Sequence, residues 1–494
     1  MAVSIELIGL ITFGLGVLAV LRSSAMALTL ASCMGLLGAA SAMSFGSANI
    51  TPGHLSLGFL VLAVLIRNRG FDFATVAMQQ GRPGFLLLLL CIWGFSSSIL
   101  MPRLFAGEFM VFPMNADRKF IIEVPLYPSG ANFNQAVYFA ASLFIFAAVS
   151  SMARTNEMLK KAGGALIIAS ALNLVIVLVD TATFAVGASN VLDFIRNADY
   201  SQNFSHKFMG VKRVTGAFPE AATFATFSVG LFAFNFRLWR GGVRPEVTGL
   251  IALLTFFSIL FAFSSTGYLA LICYLSVAYA RSLAKTDGRR SLAARSSTNR
   301  IIFISLGPLT ALGAATAVAI KPDLIAPILE TFDQSITNKL GSASGVERSS
   351  WNMGGLEAFV NSFGLGAGLG SVRTSSFLVG VIANLGIIGL VLFGLFFMRL
   401  FLEDVSKRSR LADDEAQQYA SAGRAGCFAI LIAACVSSST VDLGIHFYVM
   451  AGIACASVFY RKGVLHYYVE PPEPAQAAPG TRARPALNPG PASS

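Results

Sequence analysis

Charge is what this chain has least of. Asp, Glu, Lys and Arg together make up 12% of the 494 residues, while hydrophobic residues make up 55%. That balance excludes a soluble globular domain and indicates a polytopic membrane protein. Histidine is equally scarce, at four residues, with none between His206 and His446. The six cysteines, Cys33, Cys91, Cys273, Cys427, Cys435 and Cys455, all sit inside apolar runs at no metal-ligand spacing. They read as packing residues, so no metal or cofactor is implied and the redox compartment is left open. The N-terminus has no basic region ahead of its first apolar run and carries Glu6, so that run is expected to remain as a span and not to be a cleaved signal peptide. Neither an internal repeat of the inverted-transporter kind nor a GxGxxG fingerprint is present.

What the chain does have is length without charge. A membrane span needs about 20 apolar residues, and thirteen runs approach that measure, near 4–21, 25–46, 54–66, 84–101, 135–152, 162–186, 218–236, 246–263, 267–281, 301–320, 374–398, 425–441 and 443–460. The net charge of +11 does not mark a nucleic-acid binder, because the Lys and Arg residues fall in alternate short loops. These hold Arg22; Arg67, Arg69 and Arg82; Arg154, Lys160 and Lys161; Arg237 to Arg244; Arg281 to Arg300; Arg399 to Arg424; and Arg461 with Lys462. The positive-inside bias makes them cytoplasmic, with the N-terminus outside and the C-terminus inside. Membrane lipids are therefore the expected surroundings, and anionic headgroups the expected neighbours of the basic 281–300 connector. The expected fold is an all-α, polytopic transmembrane helical bundle of about 12–13 spans over residues 1–468, followed by a Pro/Ala/Gly-rich, disordered cytoplasmic tail at 469–494.

Three outer segments, 102–134, 187–216 and 321–373, are longer than connection demands, and short amphipathic helices are expected in them. The first, with its prolines, reads as an extended cover. The second places Val191, Phe194, Ile195 and Ala198 on one face of an interfacial helix and delivers Lys207, Lys212 and Arg213 to the next span. That span opens Gly-Ala-Phe-Pro-Glu, with Pro219 expected in the first turn and Glu220 beside it, where capping and a functional carboxylate are both open. Asp180 is the one acid clearly inside an apolar run, and an ionisable group there is functional by default unless a partner satisfies it. Asp442 and His446, at the outer turn of the last two runs, are expected to be satisfied structurally.

The third segment organises the chain. Leu324, Ile328, Phe332 and Ile336 recur at four-residue intervals, which predicts a helix on the membrane surface. Lys339 follows. Ser349 and Ser350 are N-cap types ahead of Trp351, Leu356, Phe359, Val360 and Phe363, so Arg348 is expected at the N-terminus of a short amphipathic helix. Glycines 364, 366, 368 and 370 forbid helix and make a compact turn. After Arg373, the residues Thr374, Ser375 and Ser376 cap a wholly apolar helix. Two helix N-termini, each with an arginine and free backbone N–H groups, joined by a loop that a ligand can approach, describe a site for an anion, most naturally phosphate.

The GAFPEAATFA span start, the pair of runs around FSSTGYLAL, the long loop with Arg348, the GLGAGLGS turn and the ANLGIIGLVLF helix together resemble the O-antigen ligase and Wzy-type polysaccharide polymerase superfamily, integral membrane glycosyltransferases of GT-C type. Arg348 and Gly364, with fifteen residues between them, are similar to the arginine motif in the polymerases' long periplasmic loops. The resemblance implies metal-independent glycan transfer from an undecaprenyl-diphosphate carrier at the outer face of the bacterial inner membrane. Chain-length regulator and export proteins are the partners it implies. On that reading Glu220, Arg348 and Arg373 are the catalytic candidates, and Lys207, Lys212, Arg213, Lys339, Ser375 and Ser376 bind substrate. Ligases of the family carry a histidine before the helix that here follows Arg373, and an arginine after the serine of the paired-run motif, where this chain has Ser264-Ser265-Thr266-Gly267. Both departures favour a polymerase of exopolysaccharide, capsule or O-antigen over ligase-type transfer. A transporter or flippase of lipid-linked sugars is the alternative of another class, and the large outer loops weigh against it.

Overall fold

Each of the thirteen apolar runs carries a helix, and a fourteenth helix lies in the third outer segment. The computed structural model describes residues 3–45, 48–67, 79–80, 82–114, 122–198, 202–208, 210–284, 293–320, 343–402 and 413–459. The surface helix expected over 323–336, Lys339 and the tail 469–494 lie outside the described residues. In chain order the helices are α1 (Leu7–Arg22), α2 (Ser24–Met34), α3 (Pro52–Arg67), α4 (Pro83–Leu104), α5 (Gly130–Met152), α6 (Asn156–Ala185), α7 (Ala221–Arg240), α8 (Pro245–Leu260), α9 (Ser265–Ala284), α10 (Ala293–Ile320), α11 (Ala343–Asn361), α12 (Phe377–Leu402), α13 (Asp414–Val436) and α14 (Ile445–Ala454). Three small antiparallel sheets trim the bundle: β1 (Val3–Ile5) with β2 (Met43–Phe45) and β3 (Ala48–Ile50), β4 (Met110–Val111) with β5 (Val124–Pro125), and β6 (Lys207–Phe208) with β7 (Val211–Lys212). Among the described residues six helices, α4, α5, α6, α7, α12 and α13, are long and apolar enough to cross a membrane. The protein is an all-α, multi-pass membrane protein.

Basic helix ends gather at one pole. Lys160 at the start of α6 pairs with Asp413 and Glu415 at the start of α13, at 2.8 and 2.9 Å. Arg67 at the end of α3 donates to the carbonyls of Val20 and Leu21 at the end of α1. Arg240, ending α7, donates to Ala278 in α9, and Arg300 in α10 donates to Ser282. Arg67 and Arg300 thereby satisfy carbonyls that a helix C-terminus leaves without a partner.

At the opposite pole helices stop short. Runs 25–46 and 443–460 are not continuous helical spans, because α2 has 11 residues and α14 has 10, about 15 Å of a hydrocarbon layer of roughly 30 Å. Their ends meet: His446 Nε2 lies 2.9 Å from the Ser32 carbonyl, and a Cβ on Gly53 would stand 2.6 Å from Ile445 and 3.1 Å from the Gly35 Cα. Beyond α2 the chain continues without helix, and Ala39 exchanges backbone hydrogen bonds with Ala217 and Ala198. The expected interfacial helix near 191–198 is a 3-10 turn, Ser189–Ile195, which buries Leu192 and Ile195 while Val191 and Phe194 stay exposed.

The run 374–398 is not one straight helix either. At Gly386 (φ 64°, ψ −161°) α12 leaves helical geometry, and the Phe377 ring comes within 5.3 Å of Phe393 and 6.1 Å of Phe397. In a straight helix, positions 377 and 397 would be about 30 Å apart, so the two arms fold back on one another. The freed carbonyls find donors: Ala367 N to Ala383, Gly368 N to Asn384, and Trp93 Nε1 to Leu385 at 2.8 Å. Irregular backbone inside a membrane bundle survives only when its polar groups are satisfied in this way.

A candidate anion and transfer site

Four of the residues singled out in the sequence, Arg213, Glu220, Arg348 and Arg373, are linked electrostatically where the long loops meet α7. Arg213, just after β7, is held by two carbonyls, Nε to Ala262 at 3.1 Å and Nη2 to Phe263 at 3.0 Å. Those carbonyls belong to the tight α8–α9 turn, where Phe263 adopts a left-handed conformation (φ 45°) and stacks on Phe208 at 5.2 Å. Burial pushes the Arg213 guanidinium below its usual pKa; Glu220 acts against that shift, and Arg348 acts with it. Arg373 is displaced downward by burial too, opposed by Glu220 and Glu347. Glu220 is thus within electrostatic reach of both buried arginines, and Arg348 within reach of Arg213. Both guanidiniums remain charged, since arginine does not lose its proton in proteins.

Arg373 packs its guanidinium 4.6 Å over the Trp351 ring, while its backbone N–H donates to the Phe112 carbonyl at 2.8 Å. Among the described residues its buried Nε has no hydrogen-bond partner. Trp351 read as an apolar core position in the sequence; it is the platform that orients an arginine. Glu220 occupies the N-cap position of α7, yet its side chain makes no capping bond and takes only a long contact from Thr223 Oγ1, at 3.4 Å. Its carboxylate is therefore free for other work. Pro219 precedes that N-cap and does not sit in the first turn as expected.

Several expectations are corrected. Helix α11 begins at Ala343, so Arg348 lies inside it and not at its N-terminus. The helix also buries a different face, Trp351, Gly354, Gly355, Ala358 and Ser362, leaving Val360 and Phe363 70% and 87% exposed. The four glycines do all take positive φ, between 79° and 98°, but no ligand approaches their backbone closely. A Cβ on Gly366 would stand 2.6 Å from the Gly386 nitrogen, and one on Gly370 2.6 Å from the Ala131 carbonyl oxygen. The loop's N–H groups are spent inside the protein, Ser371 and Val372 on Asn384 Oδ1, Gly366 on Ser362 Oγ and Ser375 on Asn352 Oδ1. No nest of free amides remains there for an anion. Nor does Ser376 face a ligand, because its hydroxyl donates to the Cys435 carbonyl at 2.8 Å; Ser375 is buried, its carbonyl accepting from Ser438 N.

Lys212 is the clearest correction. Its ammonium pairs with Asp180, which also takes Arg196 Nη2 at 2.5 Å and the backbone N–H of Gly216 at 3.2 Å. Arg196 itself covers the Phe204 ring at 4.2 Å. Asp180 is accordingly a structural anchor that collects both ends of the second outer loop. Lys212 turns toward Asp180, while the next residue, Arg213, turns to the carbonyls of Ala262 and Phe263. Lys207 is exposed in the same hairpin, 5.6 Å from the Phe184 ring that Lys212 also approaches. Asp442 accepts from Ser142 Oγ at 2.8 Å, and His446 Nε2 meets the Ser32 carbonyl, although its buried Nδ1 has no hydrogen-bond partner among the described residues. An open groove beside α11, lined by Glu123, Ser349, Ser350, Met353 and Glu357, carries two carboxylates and would repel an anion.

No protein-family model matches the chain, and no curated protein matches it.

Proposed function

We propose that the protein is a membrane glycosyltransferase that joins lipid-linked oligosaccharide repeat units, carried on undecaprenyl diphosphate, into a longer polysaccharide at the outer face of the bacterial inner membrane. What supports this reading is that Arg213 and Arg373, both largely buried, lie within electrostatic reach of Glu220, with Arg348 within reach of Arg213, at the pole opposite the basic helix ends. Cations there run against the topology bias and need an anionic occupant. A diphosphate leaving group supplies one, and fixed guanidiniums stabilise the charge that grows on it as the sugar leaves. Glu220 then removes the proton of the attacking hydroxyl.

Polymerase is favoured over ligase because the family histidine ahead of α12 is absent, Arg373-Thr374-Ser375-Ser376 standing there instead. Lys212 is not part of the cation group that faces the diphosphate, because Asp180 consumes it. Deleting the protein is expected to leave single repeat units on the carrier and to remove long chains. Long carrier-linked chains left unattached to their final acceptor would instead identify a ligase.

A further inference from the structure

Helix α14 is buried throughout, while α13 has no fully exposed residue but alternates buried and half-exposed ones. Yet between them residues 435–440 are all half exposed, in the run Cys435-Val436-Ser437-Ser438-Ser439-Thr440. Six consecutive half-exposed residues leading into a fully buried helix mark a recess beside it. Its depth is fixed by its neighbours. Asp442 meets Ser142, which lies midway along α5, and Cys435 meets Ser376 at the start of α12. Non-helical chain at half the height of a membrane bundle is tolerated where it lines a water-filled cavity.

The recess is connected to the arginine cluster. Ser438 N donates to the Ser375 carbonyl, two residues past Arg373, and a Cβ on Gly444 would touch the Phe227 ring at 2.7 Å. Thr223, Thr226 and Phe227 are half exposed on the face of α7 that descends from Glu220 toward that floor. Ser438 and Thr440 spend their hydroxyls on local carbonyls, whereas among the described residues those of Ser437 and Ser439 make no hydrogen bond. Charge thus sits at the rim, and neutral hydroxyls with one aromatic face lie below it.

We propose that this recess is a sugar subsite, in which the hydroxyl-rich part of the substrate descends from Glu220 onto Ser437 and Ser439 while the diphosphate stays at the arginines. The inference rests on the glycosyl-transfer reading and gives it a place for the glycan. Hydroxyl donors and acceptors beside an aromatic face suit a pyranose, and among the described residues the run 435–440 at the floor carries no cation that would suit a second phosphate. The test is protection of a Ser439→Cys variant in proteoliposomes from an impermeant methanethiosulfonate reagent, measured against the unsubstituted protein. With the other five native cysteines replaced, half-exposed Cys435 gives a second reading. Reaction from the outer side is expected. Undecaprenyl-diphosphate oligosaccharide at ten times its dissociation constant should slow it about tenfold, as occupancy dictates, and undecaprenyl diphosphate alone should not. No labelling at either position would show that the recess is closed and overturn the proposal. Equal protection by the bare carrier, or no protection by the oligosaccharide in a preparation that lengthens chains, would overturn the subsite alone. Oligosaccharide protection without any chain lengthening would sink the polymerase reading and keep the subsite.

Discussion

Arginine and lysine side chains at the outer pole divide into those that hold the fold and those left to hold a ligand, and partners make the division. Arg348 is half buried and, among the described residues, enters no ion pair, so Arg348→Ala should leave the thermal midpoint unchanged. Its turnover should fall on the order of 10²-fold, as when one preorganised donor is removed; chain-extension kinetics beside a thermal melt in detergent check both halves. Asp180→Asn should do the reverse, stranding two cations that are only 4% and 7% exposed. Removing one partner of such a buried set costs about 3–5 kcal/mol, which denaturant titration in micelles reads directly. Asp180 was visible in the sequence as an acid in an apolar run. Its partners were not, because they lie 16 and 32 positions away and nothing local signals that pairing. Glu220 and the three arginines were legible by residue type at the starts of helices and loops, although the reason given for Arg348, a helix N-terminus, was not the one the fold uses.

At the scale of elements, hydrophobic period and glycine placement revealed where helices occur and where they do not, but not how their ends are met. The alternating glycines after α11 were readable as a turn; that the turn plugs the break at Gly386 was not, since a lone glycine in an apolar run looks like any other helical glycine. The two halves of that junction give a graded prediction. At Gly364 (φ 79°) the nearest atoms to a new Cβ are 3.6 Å away, so Gly364→Ala should cost only the left-handed conformation, about 1–2 kcal/mol. At Gly366 (φ 83°) the Cβ would lie 2.6 Å from backbone that cannot swing aside, and its alanine variant should lose more than the Gly364 variant in the same melt. Equal losses would mean that the loop does not pack into α12 as described.

Across the whole molecule, the thirteen runs all carry helices, and low charge with basic alternation was enough to reach the multi-pass class. Run length overstated the reach of α2, α12 and α14 because an apolar sequence does not distinguish a straight span from a half-height helix with buried irregular chain beyond it. Those shortened helices are what open the interior below the arginine cluster, so the departures from a regular bundle coincide with the site. The central claim is that this outer cluster, with Glu220 at its centre, transfers lipid-linked glycan. Purified protein in proteoliposomes supplied only with undecaprenyl-diphosphate oligosaccharide should yield longer lipid-linked products, and the folded, inserted Glu220→Gln variant should yield none. Equal chain lengthening by the wild-type and Glu220→Gln proteins, or no lengthening by the wild type, would contradict it.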